Sequence, residues 1–295
     1  NFLEIFYFSG IEEKLMFLTE KCVKCLYDRQ KKISKDEEYL SEIEHILKNR
    51  GEQDTAPYMV YLFNRVYEKR FGKKYSYEKE KKECNDLLLS MQEDLRKELL
   101  EAENPIEKAL NFARIGNYMD YGALKEVDTG RFLTLFKETV WSEKDHKVYL
   151  SFLKECEMAK SFLLIADNCG EIVLDKLLIE MLKKRFSDLK VTVMVRGGRV
   201  LNDVTMEDAK YVGMHEVADI VTNGEAVSGT VYHLLSEEAK KILDQADVIL
   251  AKGQGNFESM SRQGRHIFYT FLCKCDLFTE RFQVPKFTGM FVEEK

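Results

Sequence analysis

Three stretches of this chain deliver polar side chains to the point where an apolar run stops. "SFLLIA" ends in Asp167 and Asn168, followed by Gly170 and Glu171; "VTVMVRGG" leads into Asn202 and Asp203; "ADVILA" ends in Lys252, Gly253, Gln254, Gly255 and Asn256. Two carboxylates and an amide oxygen are hard donors suited to magnesium or manganese. A lysine beside glycine-loop amides suits an anion. Each stretch also has a plainer explanation. Asn168 with Glu171 three residues on has the form of a helix capping box, and the Lys252 segment has that of an ordinary glycine turn. Thr205 and Asp208 make a capping box of their own, which leaves Asn202 and Asp203 without that duty.

Convergence of the three requires a fold that ends them at one edge, because 36 residues separate Asp167 from Asp203 and 49 separate Asp203 from Lys252. From residue 161 onward, short β-branched runs ("SFLLIA", "KVTVMV", "ADIVT", "ADVILA", "IFYTFLC") alternate with helical segments. That alternation predicts a parallel sheet wrapped by helices, and open parallel sheets bind ligands at the carboxyl ends of their strands. A carboxylate after the first strand would repel a pyrophosphate unless a cation intervened. No G-x-G-x-x-G follows that strand either, so a metal-and-phosphate site is expected rather than plain NAD binding.

Up to about residue 160 the pattern is helical and charge-rich, with apolar residues three and four apart and no strand. The alternating signs of "EKEKKE" at 78 to 83 point to a solvated helix face over a nucleic-acid patch. In "NPIEKALNFARIGNYMDYG", Asn104 and Glu107 suit an N-cap and Pro105 the first turn. Ala109, Ala113, Gly116, Asn117 and Asp120 share one face, where small residues permit close packing. By spacing alone, Asn117 and Asp120 are hydrogen-bonding groups at the helix end.

At 295 residues and 45% hydrophobic content the chain can fill a real core. Its 45 basic and 51 acidic side chains, net charge -6, provide no overall basic field, so neither nucleic acid nor a membrane is expected as partner. No apolar run approaches the ~18 residues that span a bilayer. Seven cysteines, an odd number in a chain too large to need disulfide staples, suit a reducing compartment, and a cytoplasmic location is expected. Cys22 and Cys25 share a helix face and with Cys273 and Cys275 could make a four-thiolate zinc site, but buried inert thiols are the favoured expectation. No two of the five histidines have the spacing of a zinc pair.

The segments "LLIADNCGEIVLDKLL", "RGGRVLNDVTMEDA", "VTNGEAVSGT" and "ADVILAKGQGNFESM" resemble, in order and spacing, the metal-dependent damage-control phosphatases of the ARMT-like family, also known as domain of unknown function 89. "KALNFARIGNYMDYG" looks like the family's helical signature, and "CVKCLYDRQ" like the N-terminal C-x-x-C of its stand-alone prokaryotic branch. The resemblance spans roughly residues 20 to 275. It implies an α/β fold, a Rossmann-like α/β/α sandwich with a mainly parallel sheet, preceded by an all-α domain; the boundary is expected at 158/159, giving domains 1–158 and 159–295. Residues 1–15 are expected to be an upstream extension, with Met16 a natural start. The implied activity is hydrolysis of phosphate monoesters of small metabolites, sugar phosphates or damaged phosphometabolites, by metal-activated water. The implied ligands of a divalent ion (Mn, Mg, Co or Ni) are Asp167, Asn168 and Asp203. The implied phosphate site is Lys252 with Gly253, Gln254, Gly255 and Asn256, the lysine acting on the anion and not on the fold. Glu171 and Asn202 match motif positions with a supporting role, and Asn117 and Asp120 form a cleft wall facing the metal. Two other functions stay open: an S-adenosylmethionine-dependent methyltransferase and a non-catalytic phosphometabolite-binding module. Beyond Cys275 the polar "DLFTERFQVPKF" departs from the apolar strand that the family usually has there.

Overall fold

Helical periodicity governs the chain up to residue 160. A computed structural model describes residues 18–72, 76–120, 129–138 and 141–295; the extension expected at 1–15 lies outside them. The described residues before the first strand form α1 (Glu20–Ile33), α2 (Glu37–Lys48), α3 (Ala56–Phe71), α4 (Glu78–Leu100), α5 (Pro105–Gly116), α6 (Thr129–Glu138) and α7 (Glu143–Met158). Local chemistry starts several of them. Asp36 accepts from the N–H of Tyr39 at 2.7 Å to cap α2, and Ser142 with Asp145 makes a capping box at α7. The "EKEKKE" run opens α4 as a solvated face with one exception: Lys81 is buried, its ammonium 2.5 Å from Asp208.

Strands then alternate with helices: β1 (Ser161–Ile165), α8 (Glu171–Arg185), β2 (Lys190–Val195), α9 (Met206–Tyr211), β3 (Asp219–Thr222), α10 (Glu237–Gln245), β4 (Val248–Lys252), α11 (Gly253–Met260), β5 (Ile267–Leu272), α12 (Asp276–Phe282) and β6 (Gly289–Glu294). The sheet order is β3-β2-β1-β4-β5-β6. All neighbours are parallel except β5 and β6. This is the expected Rossmann-like sandwich with a mainly parallel sheet. The antiparallel strand β6 was not anticipated; Phe291 and Val292, buried by pairing with β5, hold it.

Strand alternation builds two apolar layers. Phe162 and Leu164 of β1 face a core shared with α4, α5, α7 and α8, while Leu163 and Ile165 face another shared with α10, α11 and α12. The first of these layers runs from Cys84 to Phe291. The boundary expected at 158/159 therefore marks where strands begin, and the core has no break there. Helices α1, α2 and α3 have a separate cluster around Leu26, Tyr39, Ile43, Leu47, Met59 and Phe63. Among the described residues, no helix is long and apolar enough to cross a membrane.

The sheet order has a direct consequence for the site. From β1 the chain moves one way to β2 and β3, then returns to β4 on the other side of β1. The crevice of such a sheet opens where that direction reverses, at the carboxyl ends of β1 and β4. Asp167 follows β1 and Gly253 follows β4.

Candidate active site

The backbone after β1 and after β2 is stitched together. The N–H of Cys169 donates to the carbonyl of Asn202 at 2.9 Å, and that of Val204 to the carbonyl of Asp167 at 2.9 Å. Asn168 and Asp203 thus lie opposite each other in a short antiparallel bridge. Asp167, Asn168 and Asp203 are all buried. The capping-box alternative for Asn168 does not form: α8 is preceded by Gly170 and has no side-chain cap. The amide of Asn168 instead donates to Asp167 Oδ2 at 2.8 Å and Glu171 Oε2 at 3.0 Å. Thr205 and Asp208 do form their box, which leaves Asp203 free for other work.

Arg196, at the end of β2, links the two carboxylates. It is 1% exposed, donating from Nε to Asp203 Oδ2 at 2.7 Å and from Nη2 to Asp167 Oδ1 at 3.2 Å. Its Nη1 is held by the Gly229 carbonyl at 3.1 Å and Asn256 Oδ1 at 3.2 Å. Ser228 donates to Asp203 Oδ1 at 3.1 Å. Sequence inspection missed both residues. A cation directly after "VTVMV" was the available signal for Arg196; Ser228 lies in "VTNGEAVSGT", which carries no comparable one.

The helical segment closes one side. Gly116 packs so tightly on α8 that an added Cβ would sit 2.9 Å from Leu174 Cδ1 and 3.2 Å from Glu171 Cα. That contact delivers Asn117, whose amide donates to Asp167 Oδ2 at 3.0 Å and to both oxygens of Glu171, while its carbonyl accepts from the N–H of Leu272 at 3.1 Å. Asn202 donates to the Met119 carbonyl at 2.7 Å. Asp120 accepts from Lys274 Nζ at 2.7 Å. Lys274, just beyond β5 and 5% exposed, was not singled out from the sequence.

Lys252 departs from expectation. Its ammonium is fully buried, 2.9 Å from Glu171 Oε1, 3.0 Å from Asp175 Oδ1 and 2.7 Å from the Ala113 carbonyl, to which it donates. An ammonium has three protons, and three acceptors surround this one. The ammonium of Lys252 is thus paired within the fold, where it was expected to act on an anion and not on the fold. In the loop that follows, Gln254 Oε1 accepts from the N–H of Lys274, and Asn256 donates to the carbonyls of Lys252 and Ala166. Those side chains secure the turn. The Gly255 backbone packs on the Ser228 carbonyl, which a Cβ would approach to 2.5 Å. Gly253 faces Asp167.

Residues 11–288 match the family described as the damage-control phosphatase ARMT1-like domain. The chain belongs to that family. It is 31% identical over 183 residues to a damage-control phosphatase of Pyrococcus horikoshii, covering 61% of this chain and 62% of that one. It is 29% identical over 275 residues to a damage-control phosphatase of Archaeoglobus fulgidus, covering 88% and 93%. The crystal structure of a DUF89 family protein from Pyrococcus horikoshii shares the fold, with a TM-score of 0.77 at 23% identity over 95% of this chain and 99% of that one. The chain is a metal-dependent phosphatase, and neither the methyltransferase nor the non-catalytic module is favoured.

The donor set of this damage-control phosphatase fits a divalent cation. Asp120, Asp167, Glu171, Asp175 and Asp203 are set against three cations, Arg196, Lys252 and Lys274. With all five carboxyls ionised, the shortfall would be the charge of one divalent ion. Burial pushes the Asp167 carboxyl well above the usual range, Asp203 and Glu171 add to this, and Arg196 only partly opposes it. Burial raises Asp203 as well, against the pull of Arg196. The donors on offer are oxygens, which suits magnesium or manganese.

Gly253 provides a steric test. Its φ is +81°, and an added Cβ would lie 2.0 Å from Asp167 Oδ2. Gly253→Ala must displace either Asp167 or the start of α11, and misplacement by about 1 Å can cost ~100-fold in rate. Phosphate release should fall by about that factor. A near wild-type rate for purified, folded Gly253→Ala would show that this approach is not functional.

Proposed function

We propose that this phosphatase hydrolyses phosphate monoesters of small metabolites, sugar phosphates or damaged phosphometabolites, at the carboxyl ends of β1, β2, β4 and β5. Asp167, Asn168 and Asp203 would hold one divalent ion, Mn, Mg, Co or Ni. The supporting observation is the Asn168–Asp203 bridge, which unites these ligands beside the start of α11. When bound, the ion supplies charge stabilisation to a phosphate oxygen and acidifies a water for in-line attack.

The protein's own groups do the remaining work. Asn117 and Arg196 orient Asp167, and Arg196 with Ser228 orients Asp203. The first-turn N–H groups of α11, which lack intrahelical partners by construction, would receive phosphate oxygens. Lys274 is the cation assigned to the anion, since its half-buried partner Asp120 can share it with an arriving phosphate. Glu171, held by Lys252, braces Asn117 and Asn168. Seven free thiols accord with a cytoplasmic location.

The test is a metal-by-substrate screen that measures inorganic phosphate. Release should require a divalent ion, cease with chelator and return when metal is restored. No release from any monoester with any of the four ions, or methyl transfer from S-adenosylmethionine, would overturn the proposal. Lys274→Met should lower catalytic efficiency by roughly ten- to hundred-fold, because a hydrogen bond to charge is worth ~1.5–3 kcal/mol. Unchanged efficiency in that variant would remove Lys274 from the phosphate site.

A further inference from the structure

We propose that Glu155, His266 and Glu293 form a second metal site, for a borderline ion such as Zn2+, at the end of the sheet opposite the phosphatase cleft. His266 precedes β5, whereas the cleft residues follow the carboxyl ends of the parallel strands. Register brings the three together. Glu293 of β6 pairs with Phe268 of β5, so the two side chains share a face. His266, two residues before Phe268, projects to the same side. Helix α7 covers that face through Phe152, whose ring lies 5.2 Å from that of Phe268 and 6.0 Å from that of Phe291. Ser151 and Glu155, one turn apart on α7, therefore both reach it.

His266 Nε2 lies 3.0 Å from Glu293 Oε1, and Nδ1 lies 3.5 Å from Glu155 Oε2. Ligand atoms of all three residues are within 4.8 Å of one another. Zinc bonds of ~2.0–2.2 Å bridge donors up to about 4.4 Å apart; the two glutamates face different ring nitrogens of His266, and one nitrogen serves one ion, so closing the set takes a rotamer change of Glu155 or His266. One imidazole with two carboxylates, leaving a position for water, is a donor set for zinc, nickel or cobalt. Ser151 donates to Glu293 Oε1 at 3.0 Å, an outer contact that orients a ligand. Lys295, 3.2 Å from Glu293, supplies one charge against two carboxylates. A bound ion would pin the antiparallel edge strand β6 to α7 and to the start of β5, and would stabilise the protein by binding the folded form.

The alternative occupant of this geometry is a proton: a histidinium bridging both glutamates. Equilibrium dialysis of metal-stripped protein against Zn2+, with metal counted per chain, separates the two. Wild type should hold about one more ion than His266→Ala, and the missing ion should persist in Asp203→Asn. Zn2+ should raise the melting temperature of wild type more than that of His266→Ala, with phosphate release unchanged by the substitution. Glu155→Gln provides a milder variant should His266→Ala fold poorly; at least ten-fold weaker zinc binding is expected. Equal zinc uptake by wild type and these variants, with His266 NMR signals that zinc does not alter, overturns the proposal.

Discussion

Asp203→Asn is expected to release no phosphate above background in any metal, and Asp167→Asn likewise. Loss of an outer-shell partner alone typically lowers metal affinity or activity ~10–100-fold, so loss of a ligand should exceed that. The fold should survive. Asn keeps the size of Asp and an oxygen that can still accept from Arg196, and its neutrality relieves a cluster with more carboxylates than cations. The melting temperature of the metal-free variant should therefore match or exceed that of wild type. What should vanish is the rise in melting temperature on adding Mn2+ or Mg2+, because an ion that no longer binds the native state no longer stabilises it. Wild-type turnover together with an intact metal-induced shift would place the ion elsewhere.

Lys252→Met is expected to act on stability first. In the native protein burial works to lower the lysine, but Asp175 and Glu171 more than offset it, and the net direction is up. Removing the ammonium leaves two buried carboxyls without a counter-charge, and breaking a buried pair this way costs ~3–5 kcal/mol. Asp175 is already pushed to about 7, chiefly by burial. Apart from the Lys252 contact, neither of its oxygens has a hydrogen-bond partner among the described residues, so nothing else takes the lysine's place.

The loss should depend on pH. A buried carboxyl whose pKa is raised above its unfolded value of about 4 holds its proton in the native state while the unfolded chain has released it. The penalty is absent below that value, grows as pH rises from it towards the folded pKa, and levels off above the folded pKa. Urea midpoints should thus fall further at pH 8 than at pH 5. An unchanged midpoint at both pH values, accompanied by slow turnover, would return Lys252 to the phosphate.

Much of the candidate site is legible in the sequence because its polar residues stand at strand ends. Apolar runs that stop at Asp167, at Asp203 and at Lys252 are visible in the chain, and parallel strands separated by helices must bring their carboxyl ends to one edge. The capping box of Thr205 and Asp208 is local, and it formed as its four residues require. Small residues at 109, 113 and 116 likewise announced the close packing of α5 on α8. The last strand was hidden. "GMFVEE" is short and half polar, and only pairing with β5 buries Phe291 and Val292. The polar stretch before it forms α12, where Phe278 and Phe282 pack on Phe257 and Phe271.

Which lysine is enclosed by the acidic face of α8 and which pairs with Asp120 is set by tertiary structure alone. Lys252 and Lys274 both follow apolar strands and look alike in sequence. Glu171 and Asp175, four apart on α8, present one acidic face to the end of β4 and neutralise Lys252 there. Lys274 meets Asp120, delivered from α5 by the contact at Gly116. The same holds for Arg196, whose partners Asp167, Asp203, Gly229 and Asn256 come from four different turns. The sequence by itself determined residue types, strand ends and the helical faces, because these depend on neighbours within a few positions. Charge pairing depends on which elements are adjacent in space, and for these buried cations that adjacency exists only once the sheet has closed its crossovers.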